Sequence, residues 1–102
     1  MTLGPPLRSL TVPRTLEVVD LFISQRTAEK LLRTHGIHAD EVRAALVNVG
    51  RLVFWWVEDG EQGQRAYIPI ALQGKEAVAV LYPAEGQLGT SWNLGSAYFL
   101  GE

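Results

Sequence analysis

Residues 65–83, RAYIPIALQGKEAVAVLYP, read as a strand, a tight turn and a second strand. Gln73-Gly74 is a two-residue turn signal between two apolar runs. Ala77 to Tyr82 is apolar at every position and is expected to be the central strand of a sheet. Arg65 to Leu72 carries Pro69, which has no N–H for a ladder and points to an edge position or a bulge. Pro83 stops the second strand, Ala84 to Thr90 is a loop, and Trp92 to Leu100 supplies a further strand. Gly95 weakens that last pattern and marks a candidate bulge. Upstream, Arg51 to Val57 is apolar on both faces, and Glu58 to Gln64 is an acidic, Gly-containing hairpin loop.

The elements before this sheet are helical. Ser24 is an N-cap candidate, since its hydroxyl can accept a free first-turn amide. The first helix runs through Leu31 and Leu32 to about His35. Gly36 can take the left-handed conformation that ends a helix, with Ile37 packing back on the last turn. A second helix starts near Ala39, and Val42, Ala45, Leu46 and Val49 form one apolar stripe at i, i+3, i+4 and i+7. Gly50 is expected to close it. Thr15 to Ile23 is rich in β-branched and aromatic residues and reads as one strand. Met1 to Pro13 contains Gly4, Pro5, Pro6 and Pro13 and is expected to be a flexible N-terminal arm, leaving 14–102 as a single domain.

A chain of 102 residues with 47% hydrophobic content can bury one modest core. No apolar run approaches the roughly 18 residues of a membrane span. No signal-peptide pattern opens the chain. It contains no cysteine, which excludes disulfides and thiolate metal sites and fits a reducing cytoplasm. Nine Lys and Arg against 11 Asp and Glu leave a net charge of −2. A nucleic-acid site would therefore have to be a local cluster.

The order β-α-α-β-β-β-β, the helix pair RTHGIHADEVRAAL, the strand RAYIPI, the run AVAVLY and the closing WNLGSAYFL resemble the BrnT-like branch of the RelE superfamily. Those are small toxins of bacterial toxin–antitoxin pairs that cut RNA. The resemblance covers about Phe22 to Leu100. It implies an α+β domain with two helices on a mainly antiparallel sheet, and a metal-independent, cofactor-free endoribonuclease in the cytoplasm. Implied partners are an antitoxin protein and RNA, including ribosome-bound mRNA. RNA cleavage by the 2′-hydroxyl needs a cation for the phosphate and a group to move protons. By position Arg65 matches the arginine that begins the family's third strand. Tyr98 falls where many of these toxins carry a basic residue after "SA". Arg26 and Arg51 are further candidate phosphate binders.

The missing basic residue after Ala97 and the negative net charge favour a rival of another class. In it, the same small fold is a non-catalytic module that binds a protein through an aromatic sheet face. A third option is a small-ligand domain using the same aromatic residues. Trp55 shares a strand face with Val53 and Val57, and Trp56 shares the other with Leu52 and Phe54. The second set is bulkier, so Trp56 is expected in the core and Trp55 at a partner or homo-oligomer contact. His35 and His38 have no completing carboxylate or cysteine cluster, and helix capping explains them better than metal binding.

Overall fold

A computed structural model describes residues 14–59, 63–84 and 89–101, so the expected arm over 1–13 lies outside the described residues. Within them the elements are β1 (Arg14–Leu16), β2 (Asp20–Phe22), α1 (Gln25–His35), α2 (Ala39–Leu46), β3 (Leu52–Asp59), β4 (Gly63–Leu72), β5 (Lys75–Pro83) and β6 (Ser91–Phe99). The strands form one mixed sheet in the order β1-β3-β4-β5-β6-β2. All neighbours are antiparallel except β2 and β6. Both helices pack on one face, giving a small α+β domain.

Local chemistry sets the helix ends. The Ser24 side chain accepts the Thr27 N–H at 3.1 Å. Gly36 takes φ 68° and donates to the Leu32 carbonyl, while Ile37 donates to that of Leu31. That arrangement swings Ile37 into full burial. Helix α2 ends at Leu46, not at Gly50. Val47 leaves the helix to bridge Val18, so Val49 drops out of the stripe and lies exposed. A tertiary pairing here overrides helical periodicity.

Thr15 to Ile23 is not one strand. Its two ends pair at opposite edges of the sheet, Leu16 with Leu52 and Leu21 with Trp92. Between them the Val18 carbonyl accepts from Asn48 N–H at 2.8 Å, and Val19 N–H donates to Thr90 at 2.9 Å. Four residue steps reach at most about 14 Å, whereas five strand spacings would cover about 24 Å in a flat sheet. The sheet must therefore curl strongly, bringing its two ends together around the helix side.

The Gln73-Gly74 turn is left-handed at both central residues, φ 55° and 75°, which suits a two-residue hairpin. Pro69 sits in β4, an inner strand, but beyond Tyr67, where the ladder to β3 stops. Its missing N–H therefore leaves that ladder intact. The register slips between Val80 and Leu81 opposite Gly95, which is the expected bulge. A Cβ on Gly95 would stand 2.2 Å from the Tyr82 ring, so glycine leaves room for that ring on the sheet.

Candidate functional site: the open face of the sheet

Strand alternation divides the sheet into two unlike faces. Ala66, Ile68, Leu72, Ala77, Ala79, Leu81, Leu94 and Ala97 face the helices and join Leu31, Val42 and Leu46 in one buried cluster. The other face has no helix on it among the described residues. It presents Val53, Trp55 and Val57 from β3, Arg65, Tyr67 and Pro69 from β4, Val78, Val80 and Tyr82 from β5, and Ser96 and Tyr98 from β6.

Trp55 is the most prominent of these. It is 56% exposed, while its neighbour Trp56 turns to the helix side and packs edge-on to Phe54, with ring centroids 6.1 Å apart. The two tryptophans thus face as their neighbours' bulk indicated. Trp55 pairs with Tyr67 across the ladder and stands at the rim of a shallow hollow of about 330 Å³. Val57, Tyr67, Pro69 and Val78 complete the lining, and all are apolar there. At the level of Tyr82, Arg65 is 9% exposed and donates from Nε to the Tyr67 hydroxyl at 3.1 Å. The guanidinium also lies 5.7 Å from the Tyr67 ring centroid, which fixes the tilt of the tyrosine from two directions.

The other residues singled out from the sequence scatter. Tyr98 shares the open face and lies 6.5 Å, centroid to centroid, from His35 at the end of α1. It pairs with Val78, two strands over and four residues along from the position of Arg65. Strand geometry puts those two residues about 16 Å apart. Arg26 is exposed in the first turn of α1, beside β2, and Arg51 is exposed just ahead of β3. Arg65 pairs with Val57, six residues along the chain from Arg51, so Arg51 does not converge on Arg65. Sequence reading did not single out Tyr82 or Pro69 as part of this surface. The strict alternation of β4 and β5 around Tyr67 was the available signal.

A second hollow, about 590 Å³, lies between β2, the start of β6 and α2. Its one charged lining residue, Arg43, donates to the Leu21 carbonyl at 2.7 Å and so ties α2 to the edge strand. Among the described residues no cluster of His, Cys, Asp or Glu could hold a metal ion. Nor is any helix there long and apolar enough to cross a membrane. Glu41 lies in the first turn of α2. Its carboxylate accepts the His38 N–H at 3.0 Å and the Gln73 amide at 3.1 Å, which holds its pKa below the usual carboxylate range.

No protein-family model matches the chain, and neither a curated protein nor a solved structure matches it.

Proposed function

We propose that this chain is a non-catalytic binding module whose open, aromatic sheet face receives a protein partner. The observation that carries the reading is Trp55, 56% exposed beside an all-apolar hollow. Large aromatics bury 150–250 Å² each at contacts, and covering the exposed half of one is worth about 3 kcal/mol. That is the size of an interface hot spot. Tyr67, with its ring held by Arg65, supplies a second anchor of low conformational freedom beside it. Replacing Trp55 with Ser is expected to leave the chain folded and to remove association with its partner in gel filtration. A Trp55→Ser chain that unfolds makes Trp55 structural and overturns the reading.

The second reading is the one that the family resemblance implies: a RelE-like, metal-independent endoribonuclease toxin silenced by an antitoxin. It is favoured by the placement of Arg65, Tyr67 and Tyr98 on one open face. It demands more than the first, because about 16 Å separates the cation from Tyr98, and a single phosphodiester is far shorter. The cation would have to act with Tyr67 as its proton-moving neighbour, or the RNA would have to span the face. Inducible expression in a bacterial host separates the two readings. Arrest of growth and translation that Arg65→Ala relieves supports the toxin, and a harmless parent chain removes it.

A further inference from the structure

We infer that the outer crest of α1 is a docking stripe for the phosphate backbone of duplex DNA. The crest lies on the helix side of the sheet, away from the open face, so the inference is independent of how that face is read.

Alignment is the first argument. Helix α1 buries only Leu31 and packs on β6. At about 100° per residue, Arg26, Lys30 and Arg33 fall within about 60° of one another, and each stands about 100° or more from Leu31. All three are exposed. They follow at about 6 Å and about 4.5 Å along the axis, a line of charge about 10.5 Å long.

The second is that these cations are unanswered. Among the described residues none of the three makes a hydrogen bond or an ion pair. Glu29 stands four residues before Arg33, but its carboxylate accepts the Gln25 side-chain amide at 3.0 Å. Like charges three and four residues apart repel, and Arg26 sits in the first turn, where the helix dipole disfavours a cation. That turn holds no acid. The stripe therefore weakens the helix that carries it, and an anion from outside offsets that.

Charge contrast is the third. Helix α1 carries three of the nine Lys and Arg and one of the 11 acids, a net +2, which leaves −4 on the rest of the chain. A polyanion is repelled by the acidic remainder, and the field turns the crest toward it. A lipid surface would take apolar side chains among the cations, and the sector from Arg33 to Lys30 holds none. A straight line of cations matches a linear polyanion. Duplex DNA carries one charge per about 1.7 Å of axis, so the length of the stripe meets about six phosphates. Each contact releases about 0.9 counterion from a duplex against about 0.7 from a single strand. With three contacts only, the denser polymer is the one this stripe can hold. Such contacts position a duplex without reading its sequence.

Fluorescence anisotropy of a labelled duplex of about 20 base pairs, titrated with the full chain at about 20 to 200 mM salt, tests this. Weak, sequence-independent binding is expected, with a slope of log K against log salt of about −2.7 for three phosphates. Arg26→Gln, Lys30→Gln and Arg33→Gln should each flatten the slope to about −1.8, and the triple variant should abolish binding. Glutamine is a good helix former, and far-ultraviolet dichroism should stay that of the parent. Glu29→Gln should tighten binding, while Arg51→Gln and Trp55→Ser should leave it unchanged. No binding at about 20 mM salt with about 200 μM chain overturns the inference, as does binding that survives the triple variant. Loss of binding in Trp55→Ser moves the contact to the open face and overturns it too. Tighter capture of a single strand of equal length, or of phosphatidylserine vesicles, assigns the crest to another polyanion and overturns the duplex.

Discussion

The two faces of this sheet are built from opposite materials. On the helix side Ala66, Ala77, Ala79 and Ala97, all fully buried, are interspersed with Ile68, Leu81 and Leu94, and the rings of Trp92, Phe54 and Phe99 add further bulk to the same core. On the open side the middle of the sheet carries Tyr67, Val78, Val80 and Tyr82, with Trp55 beside them. Small residues in the middle of a face let helices approach at packing distance, and large ones there keep nothing close unless a matching surface arrives. The contrast shows which face the fold has finished and which it leaves for contact. Even the cations follow it. Lys75 lies 5.1 Å from the Phe99 ring and Arg14 lies 5.5 Å from that of Phe54, closing the ends of the covered face.

That contrast can be broken by substitution, and the largest effect belongs to the covered side. Leu46→Ala removes a fully buried side chain of α2 and is expected to cost about 2–5 kcal/mol in denaturant unfolding. A loss below about 0.5 kcal/mol would mean that the helix stripe does not pack on the sheet. Filling the covered side comes next. Ala79→Leu adds bulk where a helix already sits, and urea midpoints should show about 1–3 kcal/mol of destabilisation from overpacking. Gly95→Ala forces the Tyr82 ring off the strand, and about 1 kcal/mol is expected. The double change with Tyr82→Ala should recover part of that loss, since the clash needs both partners. Trp55→Ser should change monomer stability least among these, by about 0.5 kcal/mol or less, measured at protein concentrations below association.

The smallest effect is one of pH. Glu41 has a folded pKa lowered by its bonds to His38 N–H and Gln73. Such a group adds stability above its ordinary range, and that addition disappears as pH falls through the lowered value. The parent should therefore exceed Glu41→Gln in unfolding midpoint at pH 7, and the two midpoints should converge as the pH falls through that lowered value.

Much of this fold was legible because its decisive signals are local. Ser24, Gly36 and the Gln73-Gly74 pair each act within a few residues of themselves, and all three behave as their chemistry requires. The facing of Trp55 and Trp56 followed from alternation and from the bulk of their neighbours. What stayed illegible depends on distant pairing. Nothing near Glu17 tells a run of apolar residues to divide between two edges. Nothing near Val47 announces that a bridge to Val18 will end the helix early. The site suffers the same way. Arg65 and Tyr98 each look suited to RNA chemistry alone, but the separation between them is a matter of strand order and register, which no single motif encodes.

The divided segment from Arg14 to Phe22 has one more consequence. It stitches both margins of the sheet with a single thread, since β1 borders β3 and β2 borders β6. Edge strands are where foreign chains are recruited into fibrils, and proteins ordinarily guard each margin separately. Here one slip of nine residues would strip both margins at once. Both margins therefore hang on one segment, and its Leu16, Val18 and Leu21 also belong to the core that gives the protein its stability.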